Sequence, residues 1–434
     1  MKKIGLLFSA LILTGSLFAQ NYTDEYMPHA TIIGKERNWN EMMRKACENR
    51  AIRHYLETHV TGFQQSHAPK HIFTSIENRY MIAVGGFVNF RTAYDFDGIV
   101  DNLDFVTYDI PVEKNYASRQ QLIMDPTTTR IYLKAIANTR ALGRVVSYIE
   151  TDFRGYHNSL RLRLAYISFK GFLFGRNVTT FCDLNASPNT VDFEGPNAYN
   201  FNFNTMIRYS HSFNKHWSVA IAAELPQLSA TYSYADQVLL ASIPQRIPDF
   251  PLYVQYNWGK NGNSHLRASA VFRNMYYYSL VDEKTCSQFG WGVQLSGNAM
   301  LGRKINLLFN GIYGEGITPY IQDISGAGLD LVPNPYNTAR METLPMYGWF
   351  AAAQYNFTRK LFVSGGYSWV KVDTKNDFSM PNFYKEAQYI FGNIFYHITP
   401  NCQVALEYLH GTRTDHNGQK GCANRIQAEI QYNF

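Results

Sequence analysis

Long apolar runs are missing from this chain once its first residues are set aside. After residue 19, no stretch approaches the roughly eighteen apolar residues that a membrane-spanning helix needs. The mean hydropathy of -0.27 is mildly polar. The sequence therefore excludes a helical membrane protein and predicts either a secreted soluble protein or a transmembrane β-barrel.

The sequence motifs of common enzyme active sites are also missing. The chain contains no G-x-S-x-G, no H-E-x-x-H, no glycine-rich phosphate-binding loop and no dense grouping of Ser, His and Asp. We therefore predict no catalytic residue and no cofactor. Because catalytic triads are recognised by geometry rather than by spacing, an outer-membrane barrel lipase or protease stays open as an alternative.

Metal-ligand and nucleic-acid signatures are equally absent. The five cysteines form no C-x-x-C motif and no zinc-type spacing, and their odd number predicts no disulfide framework. His67 and His71 are spaced for a helical metal site, but Pro69 between them argues against a helix. A net charge of +6 with scattered basic residues gives no sign of a nucleic-acid partner.

The N-terminus carries the pattern of a secretory signal peptide. Lys2 and Lys3 precede an apolar run from Ile4 to Leu13, and small residues then lead to Ala19. We predict cleavage after Ala19, so that residues 1–19 take no part in the fold.

The last residues of the chain alternate strictly between apolar and polar side chains. Ile426, Ala428, Ile430, Tyr432 and Phe434 face one way, and the residues between them are polar. A period of two is that of a β-strand, and in an outer-membrane barrel the apolar face meets lipid while the polar face lines the lumen. Aromatic residues make up 15% of the chain, which suits the aromatic girdles of such a barrel.

Similar alternation recurs along the chain and predicts sixteen strands. The expected strands lie near residues 82–94, 130–138, 144–153, 159–170, 171–177, 203–212, 216–225, 250–258, 265–274, 289–301, 304–314, 347–357, 361–371, 387–398, 402–411 and 424–434. Long connections alternate with short turns and are expected at 95–129, 178–202, 226–249, 275–288, 315–346, 372–386 and 412–423, with one brief loop near 154–158. Long loops at one rim and tight turns at the other are typical of a bacterial outer-membrane barrel with both termini in the periplasm. We predict an all-β, 16-stranded antiparallel transmembrane barrel over residues 80–434.

Several segments resemble one family of outer-membrane channels. They are GGFVNFRTAYDFD from Gly85, RIYLKA from Arg130, RLRLAYISFKGFLFGRNVTTFCDLNASPNTVDFEGP from Arg161, and the closing ANRIQAEIQYNF. On these residues the chain is similar to the DcaP-like trimeric outer-membrane transporters, which are sixteen-stranded porins. The resemblance implies a homotrimeric passive diffusion channel with a preference for small anionic solutes such as dicarboxylates. The terminal Phe434 resembles the signal that such barrels present to their assembly machinery.

Two features depart from that family. Where the family tends to have Gln and Trp after the glycine of the fifth strand, this chain has Arg176 and Val178, so we expect a more positive pore lining. The family's periplasmic coiled coil is not evident, because the apolar residues of the basic stretch Lys35–His59 hold no heptad. We expect this stretch to be helical.

Basic side chains are predicted on the lumen face of the strands, where few acids accompany them. The basic set is Arg91, Arg130, Lys134, Arg144, Arg161, Arg163, Arg176, Arg208, Arg267, Arg273 and Arg425. The inward acids are Glu150, Asp152, Glu224, Glu407 and Glu429. A basic arc in a narrow channel concentrates anions, and the Arg fork can hold a carboxylate by two hydrogen bonds. The alternative is that these arginines pair with the acids and brace the wall.

The loop between the fifth and sixth strands folds into the lumen in sixteen-stranded porins and narrows it. Here this constriction loop, residues 178–202, carries Asp183, Asp192 and Glu194. Acids that face a basic wall would create a transverse field across the pore. Alternatively, the three acids dock the loop onto the wall.

The segment 20–79 is predicted to be a partly helical periplasmic extension or a partial plug of the barrel. It supplies the main rival interpretation, a hydrophobic-solute transporter that is closed by an N-terminal hatch. The lumen of such a transporter should be apolar, whereas this sequence predicts an arginine-rich lumen.

Overall fold

A computed structural model describes residues 28–33, 41–60, 62, 64–98, 103–113, 116–232, 236–259, 262–375 and 383–434. The predicted signal peptide, residues 1–19, lies outside these ranges. Within them the helix α1 spans Glu41–Leu56. The strands are β1 (His29–Ile33), β2 (His71–Ser75), β3 (Tyr80–Asp97), β4 (Gln121–Asp125), β5 (Arg130–Thr139), β6 (Gly143–Asp152), β7 (Arg161–Phe169), β8 (Phe172–Val178), β9 (Phe203–Ser212), β10 (Trp217–Glu224), β11 (Leu240–Ser242), β12 (Phe250–Trp258), β13 (Ser264–Ser279), β14 (Lys284–Leu301), β15 (Ile305–Glu315), β16 (Val332–Asn334), β17 (Asn337–Glu342), β18 (Pro345–Asn356), β19 (Leu361–Val372), β20 (Tyr384–Thr399), β21 (Cys402–Asp415) and β22 (Lys420–Asn433).

Sixteen of these strands close into one antiparallel barrel. They are β3, β5–β10, β12–β15 and β18–β22, and each pairs with the next along the chain. The last strand, β22, pairs back with β3 from Asn433 opposite Phe87 to Asn424 opposite Asp97. Closure leaves no unpaired edge in the wall, which is what a lipid environment requires. The predicted 16-stranded barrel is confirmed.

The two faces of the closing strand follow the predicted alternation. Ile430 and Tyr432 are exposed on the outside, whereas Arg425 and Gln427 are buried on the inside. Apolar side chains are thus placed where lipid covers them, and polar side chains line the interior.

Two of the predicted long loops are wrong, because the strands continue through them. β13 and β14 pair as far as Ser279 opposite Lys284, so the expected loop 275–288 shrinks to residues 280–283. β21 and β22 likewise pair as far as Thr414 opposite Lys420, inside the expected loop 412–423. Polar side chains above the bilayer do not interrupt strand pairing, because the hydrogen bonds between strands are made by backbone groups.

Three long loops from the rim opposite the termini fold into the barrel interior. They are residues 103–113, the constriction loop and residues 316–344, and each carries fully buried apolar side chains such as Phe105, Phe181 and Ile321. These side chains pack with the inner faces of the wall strands in two large clusters. The interior of this barrel is therefore built as much by loops as by strands.

The first described elements of the chain pack at the rim where β22 ends. β2 pairs antiparallel with β3 from Ile72 opposite Ala83, and β1 pairs parallel with β2. The helix α1 buries Ala51 and Tyr55 against this extension and against the ends of β5 and β6. No helix in the described ranges is long and apolar enough to cross a membrane. The predicted helical stretch is confirmed by α1.

Candidate functional site

The constriction loop crosses the whole lumen and is anchored to three sides of the wall. Near its start, the amide of Thr180 donates to Glu224 Oε1 of β10 at 2.7 Å. Near its middle, the amide of Asp192 donates to Glu407 Oε1 of β21 at 2.8 Å. Farther along, another loop amide donates to Ser368 Oγ of β19 at 3.0 Å. The predicted inward acids Glu224 and Glu407 thus hold the loop through its backbone.

Asp183 is the first of the three predicted loop acids, and it docks the loop against β13 and β14. Its Oδ2 lies 2.7 Å from His265 Nε2 and accepts a hydrogen bond from Ser296 Oγ at 2.7 Å. Arg267 lies 3.8 Å away. Burial disfavours the charged carboxylate, but Arg267 and His265 outweigh burial and hold the pKa of Asp183 below its ordinary value. Asp183 is therefore a charged anchor.

Asp192 and Glu194 lie in the interior where the three inserted loops meet. Asp192 Oδ1 accepts from the amide of Phe105 at 3.1 Å, and Asp192 Oδ2 accepts from Tyr389 Oη at 3.0 Å. Burial raises the pKa of Glu194 well above its ordinary value, and the carboxylates of Asp323 and Asp192 raise it further. Burial and the neighbouring carboxylates therefore favour the neutral form of Glu194, which weakens its contribution to a transverse field.

A compact ion-pair network joins β5, β6 and β7 on the lumen side. Glu150 Oε1 lies 3.0 Å from Arg163 Nε and 3.6 Å from Arg130 Nη1. Asp152 Oδ2 lies 3.2 Å from Arg163 Nη1 and 2.6 Å from Arg161 Nη2. All of these side chains are buried except Arg161, whose side chain is 40% exposed. Charges removed from water need such partners, so this part of the predicted arc braces the wall.

Three further predicted arginines pair with acids near the loop-bearing rim. Arg273 contacts the carboxylates of Asp249 at 3.0 Å and Asp330 at 2.8 Å. In the same way, Arg425 Nε lies 2.7 Å from Asp95. The third arginine is Arg91, whose Nη2 lies 3.5 Å from Asp104 Oδ1. The acids at 104, 249 and 330 lie on loops or at a strand end, far from their partners in sequence. Sequence reasoning missed these partners, because alternation along a strand carries no information about loops that fold inward.

Four of the predicted basic residues keep part of their surface exposed on the lumen face. They are Arg144, Arg161, Arg208 and Arg267. Arg267 donates to Gln255 Oε1 at 2.6 Å and lies 4.1 Å above the ring of Tyr253. The cations that remain accessible are therefore distributed along the wall and are not concentrated at one level.

Among these four, Arg208 of β9 is the one that forms no ion pair with any described residue, whereas the other three each lie near a carboxylate. It pairs across the sheet with Leu173 and Ala222, whose side chains are buried on the inside, so the register places Arg208 on the lumen face. Its Nε makes no hydrogen bond within the described ranges. Arg208 thus presents an uncompensated positive charge to the lumen.

The structure places Arg176 differently from the sequence prediction. In the ladder Arg176 stands opposite Ala165 and Thr205, on the same face as the exposed Phe172 and Phe174. Because alternate residues of a strand point to opposite faces, this register puts Arg176 on the outer face of the barrel. Its guanidinium lies 5.6 Å from the ring centre of Phe203.

Lys134 is buried on the inner face of β5, beneath the N-terminal segment. Its Nζ donates to the backbone carbonyl of Tyr55 at 3.4 Å and lies 4.2 Å from the centre of the Tyr55 ring. No ion pair with a described carboxylate accompanies these contacts. The described residues also include no group of three His, Cys, Asp or Glu side chains that could hold a metal ion.

Comparison with known proteins shows which family this chain resembles. Residues 30–232 match the model of the DcaP outer membrane protein family. The crystal structure of the outer membrane channel DcaP of Acinetobacter baumannii superposes with a TM-score of 0.71 at 20% identity, and the match covers 82% of this chain and 97% of that chain. No curated protein matches the chain in a sequence comparison.

Two further solved structures share the fold at lower similarity. The anion-selective porin from Comamonas acidovorans has a TM-score of 0.52 at 11% identity, with 82% of this chain and all of that chain (100%) covered. The trimer form of OmpT from Vibrio cholerae has a TM-score of 0.50 at 10% identity, with 82% and 99% covered. The resemblance to the DcaP family is therefore confirmed, and the protein is an integral outer-membrane β-barrel with the porin fold.

Proposed function

We propose that this barrel is a passive diffusion channel of the outer membrane for small, hydrophilic, anionic solutes such as dicarboxylates. The observation that carries the proposal is Arg208, a lumen-facing cation without an ion pair among the described residues. Arg144, Arg161 and Arg267 add partly exposed positive charge along the same lumen. Low-dielectric walls focus the field of such charges and raise the local concentration of anions.

The ion pairs refine this proposal by removing five of the eleven predicted basic residues from it. Arg91, Arg130, Arg163, Arg273 and Arg425 are buried against carboxylates, so their charge is largely compensated. Anion preference then depends on a few accessible cations rather than on eleven. Those few are arginines, whose planar fork can hold a carboxylate by two hydrogen bonds.

The known proteins of the same fold support the solute class and the assembly. The porin from Comamonas acidovorans is described as anion-selective, and OmpT from Vibrio cholerae has a structure described as its trimer form. We infer that this chain also forms a homotrimer in outer-membrane lipid. Phe434 directly follows β22, and its amide donates to the carbonyl of Gly86 at 3.1 Å at the rim. This position is suited to presentation of the chain end to the barrel-assembly machinery.

Ion selectivity of an Arg208→Gln variant tests the proposal. The purified protein is inserted into a planar bilayer under a KCl gradient, and the reversal potential gives the permeability ratio of Cl⁻ to K⁺. We expect the substitution to lower this ratio by roughly twofold or more, because it removes an uncompensated charge from the lumen.

Arg176→Gln is the matched control, since it removes the same charge from the outer face of the neighbouring strand. It should leave the permeability ratio unchanged. Equal ratios for wild type and Arg208→Gln would overturn the role given to Arg208.

A further inference from the structure

Part of the N-terminal segment lies inside the barrel, against the inner wall of β5, β6 and β7. This plug segment consists of residues 55–60, 62 and 64–68. Tyr55, Ser66 and Ala68 are buried, and Glu57 is 5% exposed. The plug segment begins at the end of α1 and finishes shortly before β2, so both of its ends are fixed at the rim.

The plug segment places an oxygen atom on each of three predicted pore-lining cations. Glu57 Oε2 lies 2.9 Å from Arg144 Nη1. The carbonyl of Tyr55 accepts from Lys134 Nζ at 3.4 Å, and the carbonyl of Gln64 accepts from Arg130. Each of these three basic groups is therefore contacted by an acceptor of the plug segment, and Arg130 also keeps its wall partner Glu150 at 3.6 Å.

These three cations form a regular series along the wall. Arg130 and Lys134 are four residues apart on the inner face of β5, and Arg144 stands opposite Asn138, four residues farther along. At about 3.3 Å per residue, successive cations are separated by roughly 13 Å. The series runs from the rim that holds the termini up to the constriction loop, where Gln64 Nε2 donates to the carbonyl of Phe193.

Two further hydrogen bonds between the plug segment and the wall, one in each direction, complete the docking. Ser66 Oγ donates to Glu150 Oε2 at 2.8 Å, and Tyr132 Oη of the wall donates to the carbonyl of His67 at 2.8 Å. Between α1 and β2 the described residues form no strand and join no backbone ladder of the wall. Beyond the end of α1, the plug segment is thus held by hydrogen bonds with wall side chains, which can be exchanged one at a time while α1 stays folded and β2 stays paired.

We propose that the cation series Arg130, Lys134 and Arg144 is a binding track for small carboxylates, and that the plug segment is its displaceable internal occupant. A carboxylate solute supplies the same acceptors that Tyr55, Glu57 and Gln64 supply. Hydrogen bonds from a cation to a carboxylate are stronger than those to a neutral carbonyl, so a solute competes best at Lys134, which contacts the carbonyl of Tyr55 and forms no ion pair with a described carboxylate. The proposal rests on the anion-channel function and names the site where that function is controlled.

Succinate is the probe for the first experiment, and Glu57→Gln is the test variant. Removal of the Glu57 charge weakens docking on Arg144. We expect single-channel conductance in KCl to rise at least twofold. We also expect the succinate concentration that gives half-maximal reduction of the KCl current to fall severalfold. Glu48→Gln is the matched control, because Glu48 pairs with Arg44 on the surface of α1 and makes no contact with the lumen.

A second experiment reports on the plug segment without any channel current. A Gln65→Cys variant of the full chain, folded in detergent, is treated with a maleimide, and the label is quantified peptide by peptide by mass spectrometry. Gln65 lies within the plug segment and forms no side-chain hydrogen bond through its Nε2. Succinate at constant ionic strength should increase the labelling rate of position 65 severalfold, because displacement exposes it.

The two readouts separate failure of the plug from failure of the channel. An anion-selective wild type whose position 65 labels at the same rate with and without succinate would overturn the plug and leave the channel standing. A non-conducting barrel would overturn the channel, while the labelling rate would still decide whether carboxylates displace the segment. Identical conductance of Glu57→Gln and Glu48→Gln would count against displacement in either case.

Discussion

Buried arginines dominate the interior at the scale of single residues. Arg163 has no exposed side-chain surface and touches both Glu150 and Asp152, and Arg273 likewise touches Asp249 and Asp330. Such groups keep their charge only because a carboxylate and several hydrogen bonds replace water. Their main contribution is to fix the loops and strands that they join. Accessible arginines such as Arg208 are left to act on solutes.

Glu150→Gln tests the bracing role at this scale. The substitution keeps the shape of the side chain but leaves Arg130 and Arg163 without their shared charge partner, so we expect the free energy of unfolding to fall by about 3 to 5 kcal/mol. Urea unfolding of the detergent-folded barrel, followed by intrinsic fluorescence, measures this change. Glu48→Gln removes an exposed i, i+4 pair and should cost no more than about 0.5 kcal/mol. Equal midpoints for the two variants would refute the brace.

At the scale of elements, strands were predictable and inserted loops were not. A strand such as β10 can be recognised in the sequence by its alternation, with Ala220 and Ala222 inside and Ile221 outside. The loop 316–344 has no comparable period, yet it buries Ile317, Tyr320 and Leu331. Its burial depends on the space that the closed barrel leaves inside, which no local sequence window contains. For the same reason the plug segment appeared in the sequence only as a polar stretch of open role.

Docking of the plug segment on the wall should weaken as the pH falls. Burial lowers the pKa of His67 to about 4, and burial together with Lys134 and His67 lowers the pKa of His59 well below its ordinary value. His67 also faces His397 of β20. In the displaced segment the histidines regain the ordinary pKa of about 6.5. Below that pH the displaced segment therefore binds more protons than the docked segment does. Docking is therefore at full strength above pH 6.5 and weakens as the pH falls towards 4.

Conductance measured between pH 7.5 and pH 5 checks this dependence. Since the pKa difference of His67 alone weakens docking roughly thirtyfold between pH 7.5 and pH 5, the conductance should rise over that range. A His59→Gln/His67→Gln double variant should lose most of the rise. His211→Gln is the control, because His211 lies on the outer face of β9 together with Tyr209. A rise that survives in the double variant would assign the acid response to other groups.

At the scale of the whole molecule, the barrel combines a closed wall with a largely filled interior. The strand number, the antiparallel order and the inward polar face follow from the sequence, since each depends on backbone geometry and alternation. The sign of the charge that reaches the lumen does not follow from a count of inward residues. It depends on which arginines find a carboxylate, and the inserted loops supply several of those carboxylates.

The reversal potential of the wild-type protein in a planar bilayer under a tenfold KCl gradient tests the central claim most directly. The accessible arginines of the lumen, and above all the uncompensated Arg208, predict a Cl⁻ permeability severalfold above that of K⁺. The preference should shrink at high ionic strength, where the charges are screened. A preference for K⁺, or a barrel that conducts neither ion, would contradict an anion channel.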